Sequence, residues 1–307
     1  MTVHIVYPFG PKQAAPWTIG NALADAFRGR GQTIEQYDWE DDREIVPRPR
    51  DILIGHPHPS MNRAFNKSMV HPWAKKIAIC PWNGSQEYTA QVHAIIKEVD
   101  HFFPICGPYW AERLPEGWRG KSTPLNMAID AEKYKQIKSK FAPVGSAPRR
   151  SILYIGCALS CKGPDFLSAI SDTMPHCRFF HAGHGSIPGT TSLGYLNFAD
   201  PTILAEIARA FDFIIAPGRN DANPTTILEA AAWGFLPISS DKSGWGPDIS
   251  VIIPFGDVNK SKAIIDEWLN VEEKVLLAGA IMNRKRVENK YNWQIFTRKI
   301  LEVFEWD

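Results

Sequence analysis

Residues 212–246, DFIIAPGRNDANPTTILEAAAWGFLPISSDKSGWG, read as a strand, a loop, a helix and a second strand. The apolar run ends in a Pro-Gly loop. Asn223 is suited to cap the helix that follows, and Pro224 to its first position, where no N–H is required. That start leaves the amides of Thr225 and Thr226 free, and a phosphate set against them is stabilised by the positive end of the helix. Glu229 follows on the second turn, within reach of a hydroxyl beside that phosphate. Two readings stand at this point: one helix holds a phosphate and a sugar diol together, or the helix is an ordinary capped one whose Glu229 faces solvent.

The same alternation continues on either side. Before it come SILYIG (151–156), a helix near 163–173, CRFFHAG (177–183) and a helix near 201–210; after it comes VIIPF (251–255). The first half repeats the scheme with VHIVY (3–7), WTIGNALADAFRGRG (17–31), TIEQYDW (33–39), DILIG (51–55), KKIAIC (75–80), EYTAQVHAIIKEVD (87–100) and HFFPIC (101–106). Strand-helix alternation predicts parallel sheets with helices on both faces, an α/β fold. Between the halves, KSKFAPVGSAPRRS (138–151) is rich in Pro, Gly and Ser, the composition of an interdomain connection. Two Rossmann-like domains are therefore expected, over 1–142 and 143–290, with a closing helix over 291–307. Open sheets bind ligands at the carboxyl ends of their strands, which makes the cleft between two such domains the expected site.

Composition narrows the class. The chain has 307 residues, enough for two domains, is 44% hydrophobic and 22% charged, and its 34 Lys+Arg nearly cancel 33 Asp+Glu. That balance argues against disorder and against a nucleic-acid partner. No apolar run reaches the roughly 18–20 residues that span a bilayer, and MTVHIVYPFG reads as a strand rather than an export signal. A soluble, cytoplasmic protein is expected, with peripheral membrane contact left open. Cys80, Cys106, Cys157, Cys161 and Cys177 form neither a CxxC pair nor a zinc spacing, which suits free thiols. No Asp-x-Asp motif or metal cluster is present, so metal-independent chemistry without a cofactor is expected. No G-x-G-x-x-G follows the first strand, which disfavours a dinucleotide dehydrogenase.

APGRNDANPTTILEAAAWGFLPI (216–238) resembles the signature of the retaining glycosyltransferases of family 4, PSxxEGFGLxxLEAMAxGxPV, in which two acids stand as Glu-x7-Glu. It aligns without gaps, with Asp221 on the first acid and Glu229 on the second; Asn223-Pro224-Thr225-Thr226 replaces the Gly-rich turn. ILYIGCALSCKGPDFLSAI (152–170) is similar to the opening of the family's donor domain, where a GR…KG pattern supplies an Arg and a Lys. Lys162 matches the Lys, and Cys157 stands at the Arg. TIGNALADAFRGRGQTI (18–34), TPLNMAID (123–130), FFHAGHGS (179–186) and LGYLN (193–197) resemble further segments, and RVENKYNWQIFTRKILEVF (286–304) the terminal helix that in the family crosses back onto the first domain. The resemblance implies a GT-B fold, two Rossmann-like domains with open parallel sheets facing across a cleft. It also implies carbohydrate biosynthesis by retaining transfer of a sugar from a nucleotide diphosphate sugar to a glycan, lipid or small-molecule acceptor held by the first domain. Lys162 and the amides of Thr225 and Thr226 would bind the diphosphate, Glu229 the ribose, and Asp221 the donor sugar.

Other residues follow from those roles. A leaving diphosphate needs positive charge; Arg219, in the loop before Asp221, is a candidate to supply what Cys157 does not, or else a surface arginine. His56 and His58 in GHPHPS (55–60) close a predicted strand on the cleft side and are candidates for contact with a sugar hydroxyl or the acceptor; His184, between Gly183 and Gly185, is one for the nucleotide. Each is otherwise a packed histidine. Among the 11 tryptophans, Trp17 after FGPKQAAP (9–16) is the candidate to stack on an acceptor sugar, with Lys12 in that loop to meet a phosphate or an acid. Two rival readings keep the fold and change the function: a non-catalytic binder of nucleotide sugars or glycans, suggested by Cys157 and Asp221, and a sugar-nucleotide epimerase.

Overall fold

The apolar runs of the sequence become strands of two separate parallel sheets. The computed structural model describes residues 1–11, 15–58, 62–145 and 150–304. One sheet holds β1 (Thr2–Val6), β2 (Thr33–Tyr37), β3 (Ile52–Gly55), β4 (Lys75–Pro81) and β5 (His101–Ile105) in the order β2-β1-β3-β4-β5. The other holds β6 (Ser151–Ile155), β7 (Arg178–Ala182), β8 (Thr191–Ser192), β9 (Phe213–Ala216), β10 (Leu236–Ser240) and β11 (Val251–Ile253) in the order β11-β10-β9-β6-β7-β8. Every paired strand runs parallel to its neighbour. Strands β3, β9 and β10 are buried along their whole length, as helices on both faces require.

The helix Ala15–Arg28 shows how the pattern works. Ile19, Leu23, Ala24 and Phe27 lie on one stripe and are buried against the first sheet. Gly20 is on the same stripe because the helix passes so close to the end of β1 that a Cβ there would lie 2.6 Å from the Pro8 carbonyl oxygen. No described helix is long and apolar enough to cross a membrane.

The chain divides into two units: one takes Met1–Cys106, Trp110–Asn126 and the segment from Trp293, the other Gly107–Tyr109 and Met127–Asn292. Residues 127–142, which the sequence reading ends the first domain with, thus belong to the second unit. The reason is hydrogen bonding that no local pattern reveals. The Met127 amide donates to Asn223 Oδ1 at 3.0 Å, and the amides of Ile137 and Lys138 both donate to the Trp233 carbonyl at 3.0 Å. Lys138 then reaches into the unit, its Nζ 3.0 Å from Asp212 Oδ1, with both side chains buried. At the other end of the chain, the helix Trp293–Leu301 buries Phe296, Ile300 and Leu301, Phe304 stands edge-on to Phe27 at 5.2 Å, and Lys75 Nζ donates to the Val303 carbonyl.

In the second sheet β6 lies between β7 and β9, so the connections leave it in opposite directions. This switch point sets the loops after β6 and β9 side by side at the carboxyl ends of the strands, where such sheets bind ligands.

The buried Lys138–Asp212 pair yields a stability test. Burial lowers the Lys138 pKa while Asp212 holds the charge in place. Asp212→Asn leaves that charge uncompensated and is expected to lower stability by about 3–5 kcal/mol in urea unfolding. Lys138→Met combined with Asp212→Leu should recover a large part of the loss.

Candidate functional site

The second-unit site is built on one close approach. Gly163 has φ 72°, and a Cβ on it would lie 2.1 Å from the Pro217 carbonyl oxygen, so only glycine allows the loop after β6 to press against the loop after β9. The Cys161 carbonyl then accepts two amides from the second loop, Arg219 at 2.9 Å and Asn220 at 3.1 Å. Between the joined loops Lys162 Nζ lies 2.7 Å from Asp221 Oδ2. The lysine is 34% and the aspartate 15% exposed, so the pair sits at a surface without being freely solvated.

The adjacent helix begins one residue later than the sequence suggests. It runs from Thr225 to Trp233, with Pro224 at the cap position and no side-chain cap. Asn223 therefore does not cap it. Asn223 adopts φ 53°, a conformation asparagine tolerates, and its side chain is spent on the Met127 amide. Its amide donates to the Ser243 carbonyl, and its Nδ2 is buried with no partner among the described residues. Trp245 Nε1 holds the Pro224 carbonyl at 3.0 Å. The first-turn amides, those of Thr225 and Thr226 among them, are left without a capping side chain, which is the arrangement that favours an anion.

Glu229 does not face solvent freely. It is half-buried, accepts hydrogen bonds from Thr225 and from the Tyr134 hydroxyl, the latter at 3.4 Å, and burial raises its carboxyl above the usual range despite those bonds. Tyr134 lies outside every motif in the sequence, and only tertiary structure brings it here. Arg219 pairs with Asp165, and its guanidinium lies 5.3 Å from the Phe255 ring. Lys242 reaches the same ring at 5.0 Å, a cation that the sequence marks only by its place after β10. Cys157, which the sequence resemblance sets against an arginine, is exposed and its carbonyl accepts from the Tyr154 hydroxyl. Exposed His184 stacks on Tyr195 at 5.4 Å, 26° between planes, while its carbonyl accepts the Ala158 amide. The pair forms a flat aromatic surface beside the loop after β6. Tyr195, 74% exposed, lies in LGYLN without having been singled out.

The other candidates lie on the first unit. His56 follows β3; its Nδ1 is buried with no partner among the described residues, and its ring meets Tyr7 at 6.0 Å and Trp39 at 6.2 Å. Burial, with the charge of His58 second, holds its pKa down to about 3, so the imidazole is neutral at physiological pH. Half-buried His58, its pKa also lowered by burial, stands 6.2 Å from the Tyr88 ring. Trp17 packs edge-on to Trp39 at 5.5 Å, so it joins the His56 group through one shared indole. Lys12 lies outside the described residues.

Glu229 carries a pH signature. Its pKa is raised on folding, so the native state binds the proton more tightly than the unfolded chain. The associated stability is fully present below the ordinary carboxyl range and is lost as pH rises through the folded value. Glu229→Gln carries no charge to desolvate. Thermal melts should show the variant level with wild type near pH 4 and melting at a higher temperature than wild type at pH 7.5.

No protein-family model matches the sequence, and a search of curated proteins finds no match. In structure the chain is similar to a glycosyltransferase from Rickettsia africae ESF-5, with 12% identity and a TM-score of 0.68 over 98% of this chain and 97% of that one. It is equally similar to sucrose-phosphate synthase from Thermosynechococcus elongatus, 12% identical with a TM-score of 0.68 over 98% of both chains. HepE of Anabaena, solved in complex with UDP and glucose, gives 10% identity and a TM-score of 0.63 over 98% of both. TarM, 16% identical with a TM-score of 0.59, aligns with 83% of this chain, which spans 55% of the length of TarM. At such identities the likeness is one of fold: two parallel-sheet α/β domains, as in glycosyltransferases of the GT-B type.

Proposed function

We propose that the protein is a retaining glycosyltransferase that takes a sugar from a nucleotide diphosphate donor. The observation that carries this reading is the juxtaposition of Lys162 and Asp221, 2.7 Å apart, in joined loops beside an uncapped helix start that bears Glu229 one turn on. Likeness in fold to HepE, a structure holding UDP and glucose, supports it.

Each group then has a task. The diphosphate competes with Asp221 for Lys162, and the amides of Thr225 and Thr226 share its charge. Half-buried Glu229 accepts from both ribose hydroxyls, which return the hydrogen bonds that burial takes from its carboxylate. Asp221, released from Lys162, meets a hydroxyl of the donor sugar. As the sugar–phosphate bond lengthens, Lys162 and the helix start stabilise charge on the leaving oxygen. That oxygen accepts the proton of the incoming acceptor hydroxyl on the same face, so configuration is retained without a protein nucleophile. On the first unit, neutral His56, whose Nδ1 has no partner among the described residues, and Trp17 are the candidates for acceptor contact. Exposed Cys157, where the family carries a cation, favours a second reading: a binder of nucleotide sugars that does not turn them over.

Incubation with a panel of nucleotide sugars and glycan, lipid and small-molecule acceptors separates the readings. Transfer with a retained anomeric proton signal and release of nucleoside diphosphate supports the enzyme; saturable binding without release supports the binder. Lys162→Ala should weaken nucleoside diphosphate binding about ten- to hundred-fold in calorimetry and leave nucleoside binding unchanged, the effect of removing a charge-assisted contact of roughly 1.5–3 kcal/mol. Asp221→Asn frees Lys162, so it should tighten nucleoside diphosphate binding while lowering transfer.

A further inference from the structure

The second sheet ends in β8, a strand of only two residues, so the last part of β7 and the chain around β8 have little sheet beyond them. The helix Pro201–Ala210 runs over this margin and is poorly embedded, with Ile207 its only buried residue. Between helix and sheet edge is a groove of about 640 Å³. Phe180, Leu193, Leu196 and Ile203 form its walls, and all four are partly exposed. That volume lies in the range of small-molecule sites, and a concave apolar surface of this extent is not the random scatter of exposed side chains found on any protein.

The charges are placed unevenly. Arg178, the first residue of β7, and Arg209, in the last turn of the helix, both line the groove at the amino ends of the strands, away from the candidate donor site. Among the described residues neither has a carboxylate within ion-pair distance, although Glu206 also lines the groove. Arg209 has a local reason to be where it is, since a cation at a helix carboxyl end is favourable. Arg178 stands on a strand and has none; its guanidinium lies 5.7 Å from the Phe180 ring, on the apolar wall itself. From Ile203 to Arg209 the helix advances about 9 Å, which sets the apolar stretch apart from the cationic end.

We propose that this groove binds a single-chain anionic amphiphile, with its linear acyl chain along Phe180, Leu193, Leu196 and Ile203 and its carboxylate or phosphate head between Arg178 and Arg209. The site is independent of donor chemistry and depends on no assignment made for it. Charge complementarity with Arg178 and Arg209 selects the head group, and the apolar stretch along Phe180, Leu193, Leu196 and Ile203 takes the chain.

Decanoate, below its micelle concentration, is the probe, and decyl maltoside, with the same chain and an uncharged head, is the control. Calorimetry should show one saturable decanoate site and at least ten-fold weaker binding of the maltoside. Arg178→Glu combined with Arg209→Glu should weaken decanoate ten-fold or more and leave the maltoside unchanged; Ile203→Trp, which fills the groove, should abolish both. Unaltered far-UV circular dichroism certifies that each variant is folded. Absence of decanoate binding, equal affinity for the two probes, or binding that survives both sets of substitutions overturns the proposal. So does binding only to phosphatidylglycerol vesicles, which would mean adsorption to a bilayer. A wild-type dimer in sedimentation that Ile203→Trp dissociates overturns it too, because the groove is then covered by a second copy.

Discussion

Contact between the backbone of Gly163 and that of Pro217 underlies the second-unit site. A parallel sheet brings the loops after β6 and β9 to the same end, but proximity of strands does not by itself bring side chains within hydrogen-bond reach. Removing a Cβ lets one loop settle onto the other, and the Cys161 carbonyl then fixes it through two amides. Lys162 and Asp221 are 59 residues apart in sequence and meet because of that seating. The ion pair is a consequence of backbone geometry, and its partial exposure means that its own contribution to stability is small.

The groups of the site are held short of full satisfaction. Glu229 is kept where its charge is poorly solvated, Asn223 has a buried amide nitrogen with no acceptor among the described residues, and the helix start has no side-chain cap. Buried polar groups in proteins are nearly always paired, so the Asn223 amide nitrogen, without a partner among the described residues, stands out beside this helix start. The first unit has the same character on a smaller scale in His56, neutral and with no partner for Nδ1 among the described residues.

The fold was legible because burial on both faces forces continuous apolar runs, and such runs stand out in VHIVY, DILIG, SILYIG and DFIIAPG. In the sequence, Lys162, Asp221 and Glu229 stand together only through the resemblance to a family pattern, since spacing alone left Glu229 open to solvent. What escaped depended on distant partners. Asn223 does not cap the helix because the Met127 amide claims its side chain, so that Pro224 takes the cap position, and the break between units lies near 127 because Ile137 and Lys138 bond to Trp233. Tyr134 and Lys242 carry no motif, and Tyr195, though inside LGYLN, is not marked out within it. They reach the site by tertiary packing, and a string of letters contains no signal for that.

The first unit is assembled from segments on both sides of the second. Phe27, from the first helix, packs against Phe304, and Lys75 bonds to the carbonyl of Val303. During synthesis, then, the first sheet emerges early and stays without part of its cover until the whole intervening unit has left the ribosome. The second unit, apart from Gly107–Tyr109, is uninterrupted in sequence and is free to fold in the meantime. The half made first is completed last, and its apolar helix face has to be kept from other chains over that interval.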